Sequence, residues 1–120
     1  MENEQLSVGQ SVLAFYRVLP FNYRQSVAEH AREIKDRNAV QSYPVLPPLL
    51  ETSGMRVLEI GCGAGWLSNG IAHHYGCPVT GLDFNPVAVD RAQAVAGELG
   101  VTSEFLVADL FQWSPEALFP

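Results

Sequence analysis

A chain of 120 residues is long enough for one small domain with its own hydrophobic core. Apolar residues make up 48% of it and charged residues 17%, a balance that excludes an intrinsically disordered protein. The net charge is −6, and residues 55–120 contribute most of it, with 2 basic against 7 acidic side chains. This acidity argues against nucleic acid or an anionic membrane surface as partner.

The cysteines and the first residues of the chain indicate a compartment. Two cysteines, Cys62 and Cys77, do not make a disulfide framework. Residues 1–5 are acidic where a signal peptide is basic, and no stretch approaches the ~18 unbroken apolar residues of a spanning helix. We therefore expect a soluble, cytoplasmic protein.

Residues 1–50 read as a helical extension. The apolar spacing predicts a helix over residues 6–19 that ends at Pro20. A second helix is predicted from Ser26 as N-cap to about residue 38, with Glu29 completing a capping box. The prolines of residues 44–48 are expected to break regular structure until a short helical turn at residues 49–51. The inner face of the second helix is expected to carry Val27, Ala31 and Ile34.

From residue 55 onward, strand-like and helix-like segments alternate, which is typical of right-handed parallel crossovers. The four apolar residues among residues 55–60 predict a first strand that is covered on both faces. Asn85 is expected to cap the second helix of this part and Gly100 to end it. A short helix or turn is predicted at residues 114–116. Strands are predicted at residues 55–60, 78–83 and 104–108, and helices at residues 64–75 and 86–99.

The first predicted strand runs into a glycine-rich turn, GCGAG, at residues 61–65. Glycine lets the main chain approach a ligand closely because it has no Cβ. The helix that follows presents free N–H groups and the positive end of its dipole. The turn therefore predicts a nucleotide-like ligand.

Carboxylates follow the other two predicted strands. Asp83 lies 22 positions after Gly61 (83 minus 61), near the ~20-residue spacing at which an acid in this fold reaches ribose hydroxyls. Asp109 is placed to accept a hydrogen bond from an exocyclic amine such as that of adenine, and Phe84 to lie against the purine face. Because ligands of parallel sheets bind outside the carboxyl ends of the strands, we expect a nucleoside-binding crevice at this edge.

The third glycine position separates two cofactor classes. A dinucleotide fingerprint, G-x-G-x-x-G or A, needs a small residue where this chain has Trp66, which argues against NAD and leaves an NAD-type oxidoreductase half as the weaker alternative. The strings VLEIGCGAGW, VTGLDFNP and FLVADLF resemble, in order and spacing, the first three cofactor motifs of class I S-adenosylmethionine-dependent methyltransferases. The resemblance covers about residues 55–113.

The resemblance implies S-adenosylmethionine as cofactor and a role for each matching residue. Glu59 matches the acid that helps to organise the amino end of the methionine part, and Asp83 matches the ribose ligand. Phe84 matches the residue that packs on adenine, and Asp109 matches a reader of the adenine edge. The rest of the predicted cofactor site comprises Gly61, Cys62, Gly63, Gly65, Trp66, Asn85 and the Leu110 backbone.

Structural alternatives stand beside these roles. Glu59 alternatively caps the turn through main-chain N–H groups. Cys62 is expected to fill space rather than to act as a nucleophile, since nothing near it in sequence except the helix end lowers its pKa. His73 and His74 point about 100° apart on a helix, so they do not form a metal site together. Trp66 is most simply a core or rim aromatic.

The resemblance also implies a seven-stranded sheet with the first strand in its middle, whereas this chain supplies three strands. We therefore expect a Rossmann-like α/β half-domain at residues 51–120, preceded by a helical lid at residues 1–50. The strand motifs that normally hold the acceptor and a general base are absent, so no catalytic residue is predicted. Lid candidates are Tyr16, Tyr23 and Tyr43.

The first strand would have an open edge. We therefore expect either that the chain is a fragment, or that it pairs along this edge with a second copy or with a complementing chain. The expected reaction is transfer of a methyl group to a small molecule. The alternative is a fragment that binds S-adenosylmethionine or its demethylated product without turnover.

Overall fold

The computed structural model describes residues 26–112. The helix predicted at residues 6–19, Tyr16, Tyr23 and the turn predicted at residues 114–116 lie outside the described residues. Among residues 26–112, no helix combines the length and the apolar character needed to span a bilayer. In chain order the described elements are α1 (Val27–Asp36), a 3-10 turn (Ala39–Ser42), α2 (Leu46–Leu50), β1 (Val57–Ile60), α3 (Trp66–Tyr75), β2 (Val79–Asp83), α4 (Pro86–Leu99) and β3 (Ser103–Val107).

The three strands form one parallel sheet in the order β1-β2-β3. Val57 of β1 lies opposite Val79 of β2, which lies opposite Ser103 of β3. Parallel strands in consecutive order bring their carboxyl ends to one edge of the sheet, as a Rossmann-like α/β fold requires. The predicted fold class is confirmed.

One face of the sheet is covered by α3 and α4. Val57 and Val79 pack with Ile71 of α3 in one apolar cluster. Phe105 of β3 packs with Ala92 of α4 in a second cluster. The alternation of side chains along each strand therefore places Glu59, two positions after Val57, on the helix side of β1.

Helix α1 lies across α3 and α4 as an outer layer. Its N-terminus is capped as predicted, because Ser26 Oγ accepts a hydrogen bond from the Glu29 N–H at 3.1 Å. Ala31 and Ile34 are buried against Val95 of α4, which confirms the predicted inner face.

The limits of α4 agree with the prediction residue by residue. Asn85 Oδ1 accepts a hydrogen bond from the Val87 N–H at 2.9 Å, which caps the helix. Gly100 ends it with a φ of +69°, in the left-handed region that glycine adopts without strain.

Other predicted limits are wrong by one or two residues, and the prediction is wrong for part of one segment. Helix α3 begins at Trp66 because Gly65, with a φ of +81°, is its N-cap. The predicted break is confirmed at residues 44–45 and is wrong at residues 46–48, since Pro47 and Pro48 lie inside α2. A proline in the first turn of a helix removes no hydrogen bond, because the first N–H groups have no partner within the helix.

The expected coverage of the first strand is also wrong for the described residues. Residues 57–59 of β1 are half-buried, and Ile60 at its end is 57% exposed. The reason is topological, because β1 is an edge strand of the sheet that residues 26–112 form.

The opposite edge of the sheet, on β3, is covered by one side chain. Gln93 of α4 accepts a hydrogen bond from the Phe105 N–H at 3.3 Å and places its Nε2 3.5 Å from the Ser103 carbonyl oxygen. A side-chain amide thus occupies the main-chain groups that a further strand would bind.

Candidate functional site

The glycine turn begins as a continuation of the β1–β2 pairing. The N–H groups of Gly61 and Cys62 both donate to the Leu82 carbonyl oxygen, at 2.7 and 2.9 Å. Gly61, Gly63 and Gly65 all have positive φ angles, of +73°, +56° and +81°. The turn therefore needs glycine for its main-chain path.

The three glycines differ in what surrounds them. A Cβ added at Gly61 or Gly63 would meet nothing within 4 Å, so these two present open main chain. A Cβ at Gly65 would lie 2.8 Å from the Cβ of Ala92. Gly65 therefore lets α4 pack closely behind the turn. From the sequence alone, this packing role cannot be distinguished from a role in letting a ligand approach the main chain.

Asp83 joins the glycine turn to the end of β2. Its Oδ2 accepts a hydrogen bond from the Gly63 N–H at 2.9 Å, and its Oδ1 accepts one from the Asn85 N–H at 2.9 Å. The Asp83 carbonyl oxygen accepts from the Ala108 N–H at 3.0 Å, which brings in the end of β3. The structure thus brings the three predicted strand ends together. Each carboxylate oxygen keeps capacity for a further donor, such as a ribose hydroxyl.

Glu59 lies behind the same turn and contacts the first turn of α3. The Ser68 hydroxyl donates to Glu59 Oε1 at 2.5 Å, and Ser68 is fully buried. Burial raises the pKa of the Glu59 carboxyl, the hydrogen bonds from Ser68 lower it in part, and the negative charge of Asp83 raises it further. Glu59 therefore performs the structural task of fixing α3, and its carboxylate also has capacity for a cation. Sequence reasoning missed Ser68, whose only signal is a serine in the first turn after the glycines.

Cys62 is buried within the turn. Burial, followed by the charges of Asp83 and Glu59, raises the pKa of its thiol to about 12. A Cβ added at Gly81 would lie 3.0 Å from the Cβ of Cys62, so Cys62 fills the space over β2. At neutral pH the thiol stays protonated, which agrees with the expected role of a space-filling residue.

The Trp66 indole lies against α1. Its ring stacks on the imidazole of His30, with the ring centroids 3.7 Å apart and the planes at 29°. Trp66 remains 43% exposed, whereas His30 is buried and its Nε2 has no hydrogen-bond partner among the described residues. Burial, then the positive charge of Arg91, lowers the pKa of His30 to about 4. Sequence reasoning missed His30, which lies next to the predicted inner face of α1.

Residues after the second and third strands line the rest of the edge. Phe84 is half-buried, and Asn85 is buried and uses its side chain to cap α4. Asp109 is half-buried beyond the end of β3, and its Oδ1 accepts a hydrogen bond from the Phe111 N–H at 2.9 Å. Leu110 is exposed beside it.

His74 joins α3 to α1, and His73 lies beside it. The rings of His73 and His74 meet edge to face, with centroids 4.8 Å apart, and His74 Nε2 lies 2.7 Å from the Ile34 carbonyl oxygen of α1. Within residues 26–112, no group of three or more His, Cys, Asp or Glu side chains is arranged to hold a metal ion.

Two cavities lie away from this edge. One of about 500 Å³ lies at the amino ends of β1 and β2, between residues 50–56 and residues 75–78. The other, of about 260 Å³, lies between the end of α1, the 3-10 turn and Trp66 of α3. Asp83 and the glycines of the turn line neither of these two cavities.

Two methyltransferases carry sequences related to parts of this chain. A probable chloroplastic tocopherol O-methyltransferase of Oryza sativa subsp. japonica is 29% identical over 90 residues, which are 72% of this chain and 25% of that protein. A ribosomal protein L11 methyltransferase of Symbiobacterium thermophilum is 40% identical over 63 residues, which are 52% of this chain and 21% of that protein. The chain thus spans about a quarter of the length of these relatives.

The fold is also that of a solved enzyme. The crystal structure of magnesium protoporphyrin IX methyltransferase from Synechocystis PCC 6803 with bound SAM superimposes with a TM-score of 0.67 and 25% sequence identity. The superposition covers 94% of this chain and 60% of that one. Residues 57–119, more than half of the chain, match the family described as "Methyltransferase domain", and the chain belongs to that family.

Proposed function

We propose that this chain forms the S-adenosylmethionine-binding part of a methyltransferase that acts on a small molecule. The observation that carries the proposal is the bond between the Asp83 carboxylate and the Gly63 N–H, in a chain of this family. That bond holds a carboxylate beside open main chain at the carboxyl edge of a parallel sheet, which supports a ribose-binding role for Asp83.

The proposed contacts follow the surface of that edge. Gly61 and Gly63 present main chain that a Cβ would cover, so they suit the aminoacyl chain of the cofactor. The Glu59 carboxylate suits its ammonium group, and Asp83 suits the ribose diol. On the adenine side we propose contacts from Phe84, Asp109 and the Leu110 backbone.

The remaining predicted residues act in this proposal by shaping the site. The main chain of Cys62 follows the turn, while its side chain fills space. Gly65 holds α3 and α4 close together, and Asn85 orients Asp83 through its main-chain N–H. The Trp66 ring forms the rim toward α1.

The reaction expected of such a site is an in-line displacement. S-adenosylmethionine supplies an electrophilic methyl group on a sulfonium. The residues of this chain hold and orient the donor, which is a contribution of proximity and alignment. We assign no catalytic acid or base to the described residues.

Two considerations support a small-molecule acceptor. The tocopherol and protoporphyrin enzymes match larger shares of this chain than the ribosomal protein enzyme does. The acidic balance of residues 55–120 also disfavours polyanions. A protein acceptor, as the name of the ribosomal protein L11 enzyme indicates, is the competing class.

The organisation of the whole molecule belongs to the same proposal. We assign residues 1–50 to a lid and residues 51–120 to the cofactor half-domain, because α1 packs over α3 beside Trp66. The exposed end of β1 suits pairing with a second copy or with a complementing chain. The free thiols of Cys62 and Cys77 suit a reducing cytoplasm.

Calorimetric titration tests the cofactor. Wild-type protein is titrated with S-adenosylmethionine, S-adenosylhomocysteine and NAD, and Asp83→Ala is titrated in parallel. We expect binding of the two adenosyl sulfur compounds only, weakened by ~1–3 kcal/mol in the variant. Binding of NAD alone, or equal binding by both proteins, would contradict the proposal.

Turnover separates an enzyme from a binding module. Formation of S-adenosylhomocysteine is measured with quinol, porphyrin and protein acceptors. Product with a quinol or porphyrin supports the small-molecule enzyme. Product with the protein acceptor alone supports a protein methyltransferase. Tight cofactor binding without any product supports a binding module.

A further inference from the structure

We propose that Ser68 is a positioning residue of the cofactor site, whose hydroxyl fixes the Glu59 carboxylate in the orientation that receives the ammonium group of the donor. The inference rests on the proposed function, because it needs a ligand with that ammonium group.

The geometry joins the two sides of the glycine turn. Glu59 lies on β1 before the turn, and Ser68 lies in the first turn of α3 after it. The Ser68 Oγ donates to Glu59 Oε1 at 2.5 Å, a distance typical of a hydroxyl bound to a charged carboxylate. Because Ser68 is fully buried, solvent does not compete for this bond.

The electrostatics favour a cation at Glu59. Burial raises the pKa of its carboxyl, and the nearby charge of Asp83, which has the same sign, raises it further. A ligand ammonium would offset both effects, since it pairs with the carboxylate. The hydrogen bonds that Ser68 donates from its hydroxyl and its main-chain N–H oppose protonation and occupy two acceptor positions, which leaves the others of the carboxylate for that ammonium.

A purely structural role for Ser68 makes a different prediction. If the hydroxyl only anchors α3, its loss acts through the glycine turn, so any weakening of binding is independent of pH and persists in a Glu59→Gln background. If it positions Glu59, the loss falls on ligands that carry the amino group.

The test compares two ligands that differ at that end. S-adenosylhomocysteine carries the amino and carboxyl groups, and 5′-methylthioadenosine lacks both. For Ser68→Ala we expect about tenfold weaker binding of S-adenosylhomocysteine and less than about twofold change for methylthioadenosine. The loss should grow as the pH falls, because the Glu59 pKa rises further when the hydroxyl donor is removed and only the main-chain donor of residue 68 is left. Ser68→Thr, which keeps a hydroxyl, should restore binding.

Controls separate the outcomes. Ser103→Ala removes another buried serine hydroxyl, on β3, and should affect neither ligand. In a Glu59→Gln background, Ser68→Ala should cause no further loss. Should Ser68→Ala not fold, Ser68→Cys, with its weaker donor, replaces it in the same comparison. The role of Ser68 is overturned by equal weakening of both ligands, by no weakening, or by a further loss from Ser68→Ala in the Glu59→Gln background. Wild-type protein that binds neither ligand overturns the proposed function itself.

Discussion

The Asp83 carboxylate and the Gly63 N–H are joined by a hydrogen bond of 2.9 Å between two different strand-to-helix junctions. The same carboxylate accepts the Asn85 N–H, so one side chain satisfies two main-chain donors. Asp83 therefore holds the site together before any ligand arrives.

This bond predicts that Asp83 contributes to stability as well as to binding. Asp83→Ala leaves the two N–H groups without their acceptor and should lower the free energy of unfolding by about 1–3 kcal/mol without ligand. Urea denaturation followed by circular dichroism measures the change. Asp90→Ala, which removes an exposed acid on α4, is the matched control and should stay within about 0.5 kcal/mol of wild type. An unchanged midpoint for Asp83→Ala would show that the donors find other partners.

Gly65 and Gly61 should differ in their tolerance of alanine. Both have positive φ angles, so each substitution costs roughly 1–2 kcal/mol of main-chain strain. Gly65→Ala also forces its Cβ against that of Ala92, which adds about 1–3 kcal/mol of overpacking. Thermal and urea unfolding of the pair should show the larger loss at Gly65. Similar losses for both would mean that α4 shifts away at no cost.

His30 should make the protein less stable in mild acid. Its pKa is about 4 in the folded state and about 6.5 when unfolded, so the unfolded chain binds the extra proton as the pH falls through this window. The contribution of His30 to stability is therefore present above pH ~6.5 and is lost progressively toward pH ~4. The difference in unfolding free energy between wild type and His30→Phe, which keeps a ring against Trp66, should shrink or reverse by roughly 1–3 kcal/mol across that range. A difference that does not change with pH would mean that His30 keeps its ordinary pKa.

The Gln93 side chain should protect the β3 edge. Gln93→Ala removes its bonds to Ser103 and Phe105 and should cost about 1 kcal/mol of stability. It should also increase concentration-dependent association, because it uncovers main-chain groups of an edge strand. Unfolding and light scattering measure the two effects, with Gln41→Ala in the 3-10 turn as control. Equal association of Gln93→Ala and Gln41→Ala would mean that the chains associate through a surface other than the β3 edge.

Sequence reasoning succeeded where a local signal and a topological rule were sufficient. Asn85, Pro86 and Gly100 delimit α4 through their own main-chain chemistry, so no distant contact is needed to predict it. The meeting of Gly63 and Asp83 follows from parallel strand order once the strands are recognised.

Contacts between residues far apart in sequence could not be predicted, because the sequence gives no distances between its helices and strands. The stacking of His30 on Trp66 joins two helices 36 positions apart (66 minus 30), and no periodicity marks it. The Ser68–Glu59 bond spans the glycine turn and required the turn's path. The sequence predicts a break at the prolines of α2, although a position in the first turn makes proline compatible with a helix.

The two edges of the sheet differ in their ability to pair with a further strand. The Gln93 side chain binds main-chain groups at the β3 edge. At the β1 edge, which ends at exposed Ile60, no side chain among residues 26–112 does the same. Any polypeptide that enlarges the sheet would dock alongside β1, next to Glu59 and the first glycine. The proposed cofactor site lies in one continuous stretch of sequence, and a strand that pairs with β1 would add residues from another stretch beside it. In that arrangement the residues that contact the acceptor can change without any change in the residues that hold the donor.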